Sequence, residues 1–266
     1  MQALRISCGN GAIRQDHLLG RAVHEVSVCV PGRGLRIFLS SEALDICPFS
    51  SPSLRPPLTP SFLPSSTLHC IYRDPEPFDW YQRYSGVRDL INQYIKREDA
   101  ILMSGCGNSR LTEDMFDDGY TSVTNIDISR VCIEQMTERY KEKPTLQWQQ
   151  MNVCSLDFPD ETFDVIVDKG TMDSVLCGEG STANCAKMAS EASRVLKPNG
   201  ILLIVSYGVP DNRMNYLEKE DIYSWNVSVH TVPKPTVSAA AVPSAEDANG
   251  VHYIYICQKG GAAEEG

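Results

Sequence analysis

The sequence predicts an α/β domain built on a doubly wound, mostly parallel open sheet, and three observations carry that prediction. Apolar runs of strand length alternate with helical stretches from about residue 101 to residue 207. The first of these runs, beginning at Ile101, ends in Gly105-Cys106-Gly107, a glycine turn between strand and helix. The last two segments, Trp225 to Val232 and Val251 to Gln258, alternate apolar and polar residues with no helix between them, which implies a closing antiparallel pair.

Taken in order, the chain begins with a stretch unlike the rest. Residues 1–70 carry six Arg, no Lys and four acids, and Ser50 to Ser66 is dominated by Ser and Pro. No helical or strand period persists there, so these residues read as an atypical extension, disordered or belonging to a mispredicted first exon. The domain is expected over 71–260, with 261–266 a structureless tail. Phe78 to Tyr84 is aromatic-dense, and Val87, Leu90, Ile91 and Tyr94 then recur at helical spacing. Leu111, Met115 and Phe116 give the helix after the glycine turn, which Gly119 stops. Ser129 caps a second helix through Tyr140. Strands follow at Val123 to Ile126, Leu146 to Met151, Phe163 to Val167 and Ile201 to Tyr207. A helix from Ala183 to Leu196 precedes a Lys197-Pro198-Asn199-Gly200 turn.

Polar residues punctuate the strand ends, where ligands sit in open parallel sheets. The glycines let a ligand press on bare backbone. Asp127 lies about 20 residues on, where a ribose hydroxyl pair needs an acceptor. Asn152-Val153 closes the third strand and Asp168-Lys169-Gly170 the fourth. A dinucleotide site wants a third glycine where this chain has Arg110. A nucleoside with a short amino-acid tail fits better, which means S-adenosylmethionine.

The chain has 266 residues, 42% apolar and 22% charged, and no apolar run reaches the roughly 20 residues of a membrane span. Beyond residue 70 it holds 18 basic and 30 acidic residues, a net −12. That balance disfavours a nucleic-acid substrate and suits a basic protein surface. The ten Cys are scattered without a C-x-x-C pair, which predicts free thiols in a reducing compartment and no metal site. No targeting signal stands out, so the expected location is cytoplasmic.

The segments FDWYQRY, LMSGCGNSRL, DGYTSVTNIDIS, LDFPDETFDVIVDKGTMDSVLCG, EASRVLKPNG and HYIYICQK resemble the methyltransferase-like 13 type. This family includes the lysine methyltransferases of translation elongation factor 1-alpha, and the resemblance spans about Tyr72 to Lys259. It implies a seven-stranded Rossmann-like sheet with an antiparallel last strand. It also implies S-adenosylmethionine as cofactor and a protein substrate such as elongation factor 1-alpha. Carried over residue by residue, it implies that Gly105 contacts the cofactor backbone beside Gly107. Asp127 would hold the ribose, Ile128 pack on the adenine, and Asn152 with Val153 meet the adenine edge. Trp80 and Lys169 would line the same pocket. Two departures stand out: Asn152 replaces the family's Asp, and Leu68-His69-Cys70-Ile71 replaces the segment that closes over the cofactor.

Methyl transfer is an in-line displacement that needs a neutral nucleophile. A lysine of pKa about 10.4 is neutral about one time in a thousand at neutral pH, a cost of about 4 kcal/mol. Asp168 and Asp173 follow the fourth strand, where the methyl group should emerge, and either is expected to orient the amine. Asp173 equally suits a helix N-terminal acid. A small-molecule methyltransferase and a non-catalytic cofactor-binding module remain alternatives, and a nicotinamide oxidoreductase is disfavoured.

Overall fold

The computed structural model of the protein describes residues 23–30, 33–40, 77–178, 180–235 and 250–261. Strands β1 (Val23–Val30) and β2 (Arg33–Ser40) form an antiparallel hairpin pairing Val23 with Ser40. Alternation of Val26, Val28 and Val30 with Leu35, Ile37 and Leu39 is a strand period that the sequence reading of this stretch missed. The rest of the expected N-terminal extension, the 262–266 tail and the 236–249 connection lie outside the described residues.

The main body alternates as its apolar pattern requires. Helix α1 (Tyr84–Tyr94) precedes β3 (Ile101–Ser104), and α2 (Leu111–Asp117) leads to β4 (Val123–Asp127). Helix α3 (Arg130–Arg139) and β5 (Gln147–Gln150) follow. Next come β6 (Phe163–Lys169), α4 (Thr171–Leu176), α5 (Ser181–Val195) and β7 (Leu196–Ser206). Short helices α6 (Met214–Leu217) and α7 (Glu220–Tyr223) lead to β8 (Trp225–Pro233) and β9 (Val251–Lys259).

The seven strands lie in the order β5-β4-β3-β6-β7-β9-β8. The first five are parallel, and β9 runs antiparallel between β7 and β8. The winding reverses between β3 and β6, so a crevice opens at their carboxyl ends. Strand period two sorts the core. Ile101, Met103, Val165, Val167, Leu203 and Val205 pack under α1 to α3, while Leu102, Ile166, Leu202 and Ile204 face Met172, Cys185, Met188 and Ala192. The Lys197–Gly200 stretch, expected as a turn, runs within β7. Its irregularity survives as a register shift between Phe163 and Val165 and as a left-handed Asn199 at φ 65°.

Ser129 caps α3 as expected, its hydroxyl accepting from the Cys132 N–H at 3.3 Å. Replacing it by alanine strands that donor, so Ser129→Ala should lower unfolding free energy by about 1 kcal/mol, read as a shifted urea midpoint.

Candidate functional site

At the switch point β3 gives way to Gly105 and Gly107, both left-handed at φ 63° and 54°. A Cβ on Gly105 would sit 2.0 Å from Thr171 Oγ1, whose hydroxyl donates to the Ser104 carbonyl at 2.9 Å. The glycine thus lets the start of α4 close on the end of β3. The Gly107 N–H donates to Asp127 Oδ2 at 3.0 Å, and the Ser129 N–H to Oδ1 at 2.8 Å. Burial raises the Asp127 pKa and these two N–H groups oppose it. Each carboxylate oxygen keeps a lone pair for a vicinal hydroxyl pair, so bare backbone and a fixed acceptor together fit a nucleoside. Ile128 is half-buried beside it. Asn152 is exposed at the end of β5, accepting from the Cys154 N–H at 2.9 Å, with Val153 half-buried next to it. The thiols of Cys106 and Cys132 lie within 4.8 Å of each other and of the Asp127 carboxylate. Burial raises the pKa of the Cys106 thiol.

Residues 79–82, aromatic-dense in the sequence and expected to bring Trp80 to Lys169, form a clasp. Asp79 accepts from the Ser109 hydroxyl and from Lys169 Nζ at 3.2 Å. Lys169 also donates to the Trp80 carbonyl at 3.0 Å. Lys169 is 8% exposed, and burial lowers its pKa while Asp79 opposes that. Lys169 therefore fastens the backbone of the half-buried Trp80 to the carboxyl end of β6. Gln82 Nε2 donates to the Pro233 carbonyl at 2.6 Å and meets His252 Nδ1 at 3.0 Å. An amide nitrogen only donates, so Nδ1 is the acceptor and the ring proton sits on Nε2. Burial, with Lys234 nearby, pushes His252 down to about 4, which keeps it neutral.

Asp168 is fully buried, accepting from the Thr171 N–H at 3.0 Å and the Met172 N–H at 3.1 Å, and so caps α4. Burial, and next the Asp173 charge, push it up to about 8. Asp173 is 2% exposed and accepts from Ser206 Oγ at 2.6 Å and the Tyr207 N–H at 3.1 Å. Arg213 completes its shell, Nε at 3.0 Å and Nη2 at 2.7 Å. A Cβ on Gly208 would lie 2.1 Å from Arg213 Cζ, so only glycine leaves room for the guanidinium. Nothing in residue spacing joined Asp173 to Arg213, 40 positions on.

Two outcomes follow from these charges. Arg213→Met leaves Asp173 buried without its counter-ion, so stability should fall by about 3–5 kcal/mol by denaturant titration, with Asp173→Asn in the same chain restoring part of it. Asp168 has a folded pKa raised from 3.8 to about 8, so its contribution is full below pH 3.8 and is lost as pH rises towards 8. Asp168→Asn should flatten unfolding free energy across that window; an unchanged slope would exclude Asp168 as its source.

Residues 102–204 match the family model described as Methyltransferase domain. The chain is 37% identical over 161 residues to the mouse eEF1A lysine and N-terminal methyltransferase, covering 58% of this chain and 23% of that one. It is 35% identical over 162 residues to the mouse EEF1A lysine methyltransferase 4, covering 58% of this chain and 63% of that one. It therefore spans about a quarter of the first relative and less than two thirds of the second. Among solved structures, the YcgJ protein of Bacillus subtilis superposes with a TM-score of 0.50 at 18% identity, over 67% of this chain and 99% of that one. The [4+2]-cyclase SpnF does so with a TM-score of 0.50 at 20% identity, over 66% and 80%. A cyclase on the same sheet shows that such likeness fixes the fold alone. Sequence kinship and strand order agree with the nucleoside cradle: residues 102–204, which match the methyltransferase domain, carry the strands that build it.

Proposed function

We propose that this protein methylates an amine of a protein, a lysine or an N-terminus, with translation elongation factor 1-alpha as the first candidate acceptor. The observation that carries this reading is 35–37% identity over about 160 residues to two relatives whose names specify that substrate. The cytoplasm, where translation factors work, is the location it expects, and 71–260 is the unit expected to act. In this reading Gly105 and Gly107 offer backbone to the cofactor, Asp127 takes its ribose hydroxyls, Ile128 packs on the adenine, and Asn152 and Val153 meet its edge. Trp80, pinned by Lys169, covers the amino-acid end. When bound, the cofactor supplies a methyl group on a sulfonium: the acceptor's lone pair forms the N–C bond, the C–S electrons return to sulfur, and the amine's proton leaves to solvent. Asp168 and Asp173 take part from beneath, since both carboxylates are filled by donors of this chain.

The test pairs calorimetric titration of S-adenosylmethionine with labelled-methyl transfer to a lysate. Binding with one labelled band at the size of elongation factor 1-alpha supports the proposal. Label confined to small molecules would make it a metabolite methyltransferase, and binding without any transfer would make it a binding module. Asp127→Ala should weaken cofactor binding by about tenfold or more, because two charge-assisted hydroxyl contacts are lost.

A further inference from the structure

Two aromatic side chains beyond the cofactor cradle stand where an acceptor has to enter. The cradle runs along the sheet from β5 and β4 to β3, so the reacting end falls over β6 and β7. There Tyr81 lies against Gly170, the residue after β6, whose added Cβ would be 3.0 Å from the ring. Tyr207 follows β7, and the two rings meet at 5.9 Å with planes tilted by 56°. Both are half-buried.

We propose that Tyr81 and Tyr207 form the subsite for the acceptor amine, with Asp173 and Arg213 as positioning residues behind them; the inference rests on the amine-methylation reading above. Tyr81 holds a left-handed backbone at φ 61°, a conformation that costs an aromatic residue energy and survives only where surroundings enforce it. Lys169 on one side and Gln82 on the other supply that enforcement. Burial, and next the charge of the Asp173 carboxylate, raise the Tyr81 hydroxyl and keep it protonated. Asp173 is already satisfied by Ser206, the Tyr207 N–H and Arg213, so a phenylalanine would pack as well and leave no acceptor wanting. What the hydroxyl adds is an acceptor: with its proton attracted by the Asp173 charge, its lone pairs are left for the N–H groups of an amine. Tyr207 is held beside it: its N–H donates to Asp173 at 3.1 Å and the Arg213 guanidinium stands 5.3 Å from its ring centre. Arg213 also cancels the Asp173 charge. The floor of the subsite therefore does not trap an ammonium ion, and the neutral amine that methyl transfer needs is the form it holds.

The test compares binding of S-adenosylhomocysteine with binding of its analogue carrying a primary amine on a short arm in place of the methyl group. The wild-type protein should prefer the amine analogue by about tenfold, the worth of a well-made polar contact pair. Tyr81→Phe and Tyr207→Phe should each erode that preference while S-adenosylhomocysteine affinity stays within about twofold. Arg213→Lys, which keeps charge but loses the fork, should reduce it with the same selectivity, an effect that mere structural support would not produce. Preference undiminished in both Phe variants, or absent from the wild type, overturns the proposal; if Tyr81→Phe fails to fold, Tyr207→Phe decides it. A tyrosine-dependent preference without methylation of elongation factor 1-alpha would leave the subsite standing and remove only that substrate. Methylation of elongation factor 1-alpha without any amine preference would remove only the subsite.

Discussion

Three ionisable side chains within six residues, Asp168, Lys169 and Asp173, are buried where β6 runs into α4, and an unpaired charge there would cost several kcal/mol. Each is compensated by a different part of the chain. Backbone N–H groups of α4 serve Asp168, Asp79 of the N-terminal clasp serves Lys169, and Arg213 from beyond β7 serves Asp173. Asp168 is met by the helix that follows it, while the Lys169 and Asp173 charges draw two distant segments onto the same strand end. The same pairing ties the Trp80 backbone to the end of β6 and sets Tyr81 against Gly170.

This arrangement divides the site into two halves with different physics. The cradle half, Gly105 to Asp127, is bare backbone and one carboxylate whose geometry is fixed by two N–H donors. It needs few side chains, which is why many chemistries share it. The acceptor half is aromatic and rests on a neutralised ion pair. Its residues come from the clasp, from α4 and from the turn after β7, the regions where folds of this kind differ most in loop structure. In the proposed reading substrate choice belongs to the second half, and the fold-level likeness to a cyclase is no obstacle to it.

Much of this architecture was legible in the residues. The strand order's parallel part follows from alternation of apolar runs and helices, and the antiparallel end from two period-two segments without an intervening helix. Asp127 was legible from its spacing to the glycine turn, and the Ser129 cap from its place before an apolar-periodic stretch. The β1–β2 hairpin was missed because its alternation is short and set among Ser, Pro and Gly. The turn expected at Lys197–Gly200 is drawn into β7 by pairing of Leu196 with Phe163, a long-range contact that local turn chemistry does not register.

The sequence by itself determined what depends on period and proximity: the sheet, its two core faces, the glycine cradle and the acid that faces it. Only the tertiary structure decided which charges neutralise one another. The clasp pairs Asp79 with Lys169 across 90 positions, Gln82 meets His252 across 170, and Arg213 reaches Asp173 across 40. Ion pairs and hydrogen bonds of that kind carry no periodicity, because a buried charge can be met from any segment that the packing brings within reach. That is why Asp173, which from the sequence read equally as an amine-orienting acid or a helix-terminal one, emerges as the buried partner of an arginine that the sequence had not linked to it.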